Sequence, residues 1–240
     1  LQNPKVNQLA QLLLPFPLEP SARFETFVVG KNAALVAHLR SLSDAGYTNS
    51  PPLWLWGEPS CGKSHLLQAT CAAMLPVSAI YLPLKNLPKL VPDVLHGLES
   101  LDLVVLDDLD VVVGNPAWEQ MLFSLFNALQ AEEGKLVCAA RCAPAGLNFF
   151  LPDLDSRASG AIIYQVTGLI DDHLAIALQT HARFRGIDLP DKSARFLLHR
   201  LPRDMGVLCR WLDTLDQASL AVHRKLTVPF IREVLGTSDT

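Results

Sequence analysis

The sequence has 240 residues, half of them hydrophobic, with a net charge of −4 and a pI near 6.0, which suits one large α/β domain plus a small satellite. The acidic balance argues against a protein whose main task is gripping nucleic acid through phosphates, although it leaves room for a local basic patch. Five cysteines without a C-x-x-C pair argue against a disulfide or zinc framework; the lack of a long apolar stretch or signal-peptide pattern reads as soluble and cytoplasmic.

The chain begins polar and turns Leu/Pro-rich from Gln8 to Pro20, which reads as an extended arm over residues 1–22. A helix is predicted from about Lys31 to Ser43, where Leu35, Leu39 and Leu42 recur at helical spacing. Strands are predicted at Leu53–Trp56, Ala79–Pro83, Leu103–Asp107, Leu136–Ala140 and Ala161–Val166. A helix from about Pro116 to Glu132 sets Trp118, Met121, Leu122, Leu125, Phe126 and Leu129 on one face. Five apolar strands alternating with helices predict an α/β fold, a five-stranded parallel sheet with helices on both faces. After Gly168 only helices are predicted. Asp171 is expected to cap the first, which ends near Gly186; the others start after Pro190, run from about Arg203 to Val222, and run from Thr227 to Leu235. The expected division is an arm at 1–22, an α/β domain at 23–168 and an α-helical lid at 169–240.

Gly57-Glu58-Pro59-Ser60-Cys61-Gly62-Lys63-Ser64 matches the phosphate-binding pattern G-x-x-x-x-G-K-[ST], and it lies between a predicted strand and the helix beginning at His65. The chemistry requires this order. The glycines let the backbone wrap a phosphate, the helix N-terminus faces the anion, Lys63 reaches the β- and γ-phosphates, and Ser64 holds Mg²⁺. Glu58, Pro59, Ser60, Cys61, Gly62, Lys63, Ser64 and His65 are therefore the expected nucleotide-binding stretch. Downstream, the apolar run Leu103-Val104-Val105-Leu106 ends in Asp107-Asp108. Such a strand delivers a carboxylate to the metal in phosphate-loop NTPases, so Asp107 joins Ser64 as an expected Mg²⁺ ligand, and Asp108 takes the place of a water-activating carboxylate.

Phosphate loop, paired carboxylates and trailing helices together resemble the AAA+ P-loop NTPases. Phe24-Glu25-Thr26-Phe27-Val28-Val29-Gly30-Lys31-Asn32 resembles a segment of the bacterial replication initiator DnaA that packs near the adenine, which implies that Val28 and Val29 contact the nucleotide. Pro52 to Leu67 is similar to the DnaA phosphate loop, histidine included, and Leu226 to Leu235 to its last lid helix. DnaA continues into a helix-turn-helix domain, whereas this sequence stops at Thr240. An AAA+ module of that kind resembles the Hda family of DnaA regulators, over essentially the whole chain. Gln11-Leu12-Leu13-Leu14-Pro15-Phe16 is similar to the peptide by which that family binds the replicative sliding clamp, implying contacts from Gln11, Leu12, Leu14, Pro15 and Phe16. A polar anchor followed by pocket-filling hydrophobes and a stiffening proline suits that task. An overlapping register at Gln8-Leu9 lacks the trailing Pro-Phe. Leu151-Pro152-Asp153-Leu154-Asp155-Ser156-Arg157 resembles the segment carrying the arginine finger, which implies that Arg157 acts in trans on a neighbour's nucleotide.

Two departures stand out. The acidic sensor expected after the fourth strand falls on Ala140-Arg141-Cys142, and the lid arginine falls on Gly206, with Arg203 and Arg210 nearby. Both predict weak or absent intrinsic hydrolysis without touching nucleotide binding. The resemblance thus implies a negative regulator of replication initiation that holds ADP or ATP with Mg²⁺. It would dock on the clamp, stimulate hydrolysis of DnaA-bound ATP, bind duplex DNA weakly and avoid membranes, with self-association left open. The alternatives are a DNA-associated AAA+ ATPase, such as a helicase loader or short initiator, and a pure adaptor.

Overall fold

The computed structural model describes residues 17–44, 50–74, 78–86 and 91–237. It divides into two compact units. The first takes in the residues up to Phe24 and Lys31–Thr167; the second comprises Glu25–Gly30 and the chain from Gly168 onward. Residues 25–30, expected within the α/β domain, thus group with the helical unit.

The first unit contains α1 (Ala33–Ser41), β1 (Leu53–Trp56), α2 (Lys63–Ala73), β2 (Ala79–Pro83), β3 (Leu103–Asp107), α3 (Pro116–Ala131), β4 (Lys135–Ala140), α4 (Pro152–Ser159) and β5 (Ile162–Gln165). The strands form one parallel sheet in the order β2-β3-β4-β1-β5. Three strands have their predicted bounds. The fourth begins one residue earlier and the fifth is shorter, because the backbone pairing ends before the apolar run does.

The strands read as continuous apolar runs because both faces are covered. Trp54, Val104, Leu106, Leu136, Cys138 and Ala140 pack with Leu122, Leu125, Phe126 and Leu129 of α3 and with Leu154 and Ala158 of α4. The intervening residues Leu53, Leu55, Leu103, Val105, Val137 and Ala139 are as fully buried. By the two-residue strand period they face the other side, where α2 lies along β2, β3 and β4. α3 starts on Pro116 after Asn115, whose side chain accepts from the Ala117 and Trp118 N–H groups. Asn32 is buried before α1 and pairs both halves of its amide with the Thr167 backbone, each at 2.9 Å, closing the exit of β5 onto the start of α1.

In the second unit, α5 (Asp171–Phe184), α6 (Asp191–Arg200), α7 (Met205–Val222) and α8 (Val228–Thr237) bury Leu174, Leu178, Leu197, Leu208, Leu212, Leu215, Phe230 and Ile231 against one another. Ile170, not Asp171, holds the N-cap position of α5. Asp204 caps α7 by accepting the Val207 N–H at 2.9 Å, which starts that helix two residues later than its apolar pattern suggests. Among the described residues no helix is long and apolar enough to cross a membrane.

Candidate functional site

The loop between β1 and α2 has the geometry its sequence predicts. Gly57 leaves β1 so tightly that a Cβ there would lie 2.5 Å from the Val166 carbonyl oxygen, so only glycine fits. Ser60 and Gly62 adopt left-handed conformations, with φ of 61° and 104°. Such alternation makes successive N–H groups converge on a shared concavity suited to an anion. Gly62 holds the N-cap position of α2, so the helix N-terminus opens on the same loop. The Lys63 ammonium lies inside the loop, only 7% exposed, and donates to the Gly57 carbonyl at 2.6 Å and the Glu58 carbonyl at 3.0 Å. Cys61 Sγ is 3.8 Å away. Burial pushes the Cys61 thiol up, with the nearby Lys63 charge opposing it.

Glu58, Pro59, Ser60 and Ser64 are exposed at the loop surface, while Cys61 and Lys63 are buried beneath it. His65 Nε2 contacts the Arg23 carbonyl oxygen at 2.9 Å, and burial lowers the ring's basicity. Val28 and Val29 belong to the second unit, in the segment Glu25–Gly30. The clamp-peptide residues Gln11, Leu12, Leu14, Pro15 and Phe16 lie outside the described residues.

Asp107 ends β3 with 1% exposure. Its Oδ1 accepts the Asp108 N–H at 3.0 Å and its Oδ2 accepts the Tyr81 hydroxyl at 2.8 Å. A buried carboxylate that receives hydrogen bonds from two neutral donors suits a divalent cation. Ser64 stands near the Tyr81 hydroxyl that Asp107 accepts, so the two expected Mg²⁺ ligands lie close together. Among the described residues no three His, Cys, Asp or Glu side chains cluster to hold a metal by themselves. This is the donor set that Mg²⁺ takes with a nucleotide, in which phosphates and water complete the sphere. Asp108 sits in the left-handed region at φ 53°. Burial raises its pKa first, then the charges of Asp107 and Asp110, with Lys85 and Lys63 opposing.

At the end of β4 no carboxylate follows Ala140, but Asp110 supplies one from a neighbouring turn. Its Oδ1 accepts the Arg141 N–H at 3.0 Å and its Oδ2 lies 3.5 Å from the Arg141 Nε. In α7, a Cβ at Gly206 would lie 3.6 Å from Arg210 Nη1, so the Arg210 guanidinium stands beside the glycine.

Arg157 is exposed on α4, and its Nη1 donates to Gln130 Oε1 at 3.0 Å, rather than pairing with Asp153 or Asp155. It lines a cavity of about 320 Å³ with Pro51, Pro52, Phe126, Gln130 and Glu133. Pro52 precedes β1, and its carbonyl accepts the N–H of Ile162, the first residue of β5. Arg157 therefore stands at the N-terminal edge of the parallel sheet, and the phosphate loop at the C-terminal edge, separated by the length of β1.

Sequence reasoning missed Glu119. This carboxylate on α3 has no exposed surface. Oε1 accepts the N–H groups of Gly114 at 2.6 Å and Phe150 at 3.0 Å, and Oε2 that of Leu151 at 2.7 Å. Leu151 is the N-cap residue of α4, so Glu119 fastens the start of the helix that carries Arg157. The only available signal was a glutamate at the start of a helix, which usually faces water. Tyr81 and Gln68 were missed for the same reason: neither belongs to a motif.

Two family models match the chain: the Hda lid domain over residues 171–235 and the bacterial DnaA ATPase domain over residues 18–79. Domain III of DnaA from Thermotoga maritima superposes with a TM-score of 0.76 at 20% identity, over 92% of this chain and 98% of that one. AMPPCP-bound DnaA from Aquifex aeolicus gives 0.65 at 21% identity, over 83% of this chain and 66% of its own. The RuvB Holliday-junction branch-migration motor of T. maritima gives 0.64 at 16% identity, over 87% of this chain and 68% of its own. These likenesses show the AAA+ fold with a helical lid, and the two family models make the chain similar to DnaA over its phosphate-loop region and to Hda over its lid.

Proposed function

We propose that this protein is a negative regulator of replication initiation that binds an adenine nucleotide, docks on the sliding clamp through its arm and stimulates hydrolysis of DnaA-bound ATP through Arg157. The observation that carries this reading is the position of Arg157. It lies at the edge of the sheet away from its own phosphate loop, on a helix held by α3 at both ends. A guanidinium so placed serves a neighbour's nucleotide better than its own. Its planar charge would lie against the γ-phosphoryl oxygens, where an arginine finger in other systems accelerates transfer by roughly 10³–10⁵.

The chain's own nucleotide would be held by Lys63 and the loop N–H groups, with Ser64 and Asp107 holding Mg²⁺. That ion neutralises charge on the β- and γ-phosphates when bound. The absence of a carboxylate after Ala140 and of an arginine at position 206 supports a nucleotide, ADP in particular, that acts as a ligand and is turned over slowly.

The test is single-turnover hydrolysis of ATP pre-bound to DnaA, with DNA-loaded clamp and this protein in excess. The parent should accelerate hydrolysis, and Arg157→Ala should not, with its nucleotide and clamp binding retained. Equal stimulation by Arg157→Ala would move the finger elsewhere, with Arg141 the next candidate. Rapid ATP turnover by this protein alone would favour the ATPase alternative.

A further inference from the structure

The Tyr81 hydroxyl bonds the Asp107 carboxylate and has two further polar side chains, Ser64 and Gln68, close by. Tyr81 on β2 pairs with Val105 of β3, and Asp107 lies two residues further along the same face of β3, within reach of a long phenol. α2 packs on β2 and β3, and Ser64 and Gln68, one turn apart on it, both stand near the hydroxyl. The donor inventory fixes the direction of each bond. Gln68 Oε1 accepts the Glu19 N–H at 2.8 Å, so its amide nitrogen is the half left to donate to the tyrosine oxygen. Ser64, one turn earlier on α2, stands near the same oxygen. Tyr81 then spends its single proton on Asp107 Oδ2, at 2.8 Å.

We propose that Tyr81 is a positioning residue for the metal-binding carboxylate Asp107, and that Gln68 ties this carboxylate to the backbone at Glu19. The proposal rests on the nucleotide-binding reading above. A carboxylate held at one oxygen only, by the Asp108 N–H, keeps freedom to rotate. The second hydrogen bond removes that freedom and leaves a lone pair on each oxygen for a cation. Glu19 and Arg23 lie along α2, on Gln68 and His65 respectively, so the chain entering the α/β unit is fastened to the phosphate-loop helix at two points.

The test is the affinity of the full chain for ADP, measured by calorimetry with Mg²⁺ and again in EDTA. The ratio of the two dissociation constants is the Mg²⁺-dependent gain. Tyr81→Phe keeps the ring and removes only the hydroxyl. Its affinity in EDTA should match the parent's, and its Mg²⁺-dependent gain should fall about tenfold, the low end of what loss of such an outer partner costs a metal site. Gln68→Leu should reduce the gain by less, because Tyr81 still donates to Asp107, and should have no further effect on top of Tyr81→Phe. In an Asp107→Asn background Tyr81→Phe should leave the gain unchanged, since the group it positions is gone. A gain in Tyr81→Phe equal to or larger than the parent's overturns the proposal. So does an equal loss of affinity with and without Mg²⁺, which would mark a purely structural role. Should Tyr81→Phe fail to fold, Gln68→Leu decides in its place: an unaltered gain overturns the tie. A parent chain that binds no ADP overturns the nucleotide reading, one that binds ADP without any Mg²⁺-dependent gain overturns the metal reading together with Tyr81, and a parent gain shared by Tyr81→Phe overturns Tyr81 alone.

Discussion

The Glu119 carboxylate, fully buried in α3, accepts the Leu151 N–H at 2.7 Å and so couples the start of α4 to the helix before it. Arg157, on the last turn of α4, meets Gln130 near the end of α3. The helix bearing the candidate finger is therefore bracketed by one neighbour, at a carboxylate and at an amide.

Glu119→Ala would take the acceptor from three part-buried N–H groups, at a cost of up to about 1–3 kcal/mol for each group left unsatisfied. Urea denaturation should show a loss of about 3 kcal/mol or more. Glu119→Gln keeps the shape, but its amide nitrogen must face an N–H, so a loss of about 1–3 kcal/mol is expected. Under conditions where Glu119→Gln is folded, its stimulation of DnaA hydrolysis should fall while its own nucleotide affinity is retained. Unchanged stability in Glu119→Ala would mean that the three N–H groups find water instead.

Lys63→Ala should abolish tight nucleotide binding. The Lys63 ammonium is the buried cation of the loop, and its two carbonyl contacts keep it there in the absence of phosphate. Calorimetry with ADP and ATP checks this, and parent-like affinity in the variant would remove the phosphate-loop reading.

Arg157→Lys should restore little of the stimulation lost in Arg157→Ala, because lysine keeps the charge without the planar fork. Gln130→Ala should have a smaller effect than either, since it frees the guanidinium without removing it. Single-turnover hydrolysis by DnaA ranks the three. Full rescue by lysine would mean that a point charge suffices.

Joint replacement of Gln11, Leu14 and Phe16 by alanine should remove clamp association in a pull-down. Nucleotide affinity and thermal stability should stay at parental values. Retained clamp binding would move the contact, with Gln8 and Leu9 the first place to look.

Direct duplex DNA binding should be weak, given a net charge of −4. Gel shifts at physiological salt should give dissociation constants no tighter than about 10⁻⁶ M, with no sequence preference. Tight, selective binding would favour a loader or initiator.

The strand bounds, the phosphate loop and the order of the lid helices were legible in the sequence because each rests on a local signal. Apolar runs predict buried strands, glycine spacing predicts the loop, and 3.6-residue periodicity predicts the helices. Even the left-handed backbone at Gly62 follows from residues next to it in the chain. The sheet order β2-β3-β4-β1-β5 has no such signal, since it depends on which strands pair across long separations. It is this order, with every strand parallel, that sends Arg157 and Lys63 to opposite edges of one sheet. Tertiary packing also made Glu119 a buried three-fold acceptor instead of a solvated helix charge, and brought Asp110 to Arg141 where the strand itself lacks a carboxylate. Tyr81 reads in sequence as one more strand residue. Its hydroxyl becomes part of the site only because β2 lies beside β3 and α2 lies over both, and that proximity no local pattern encodes.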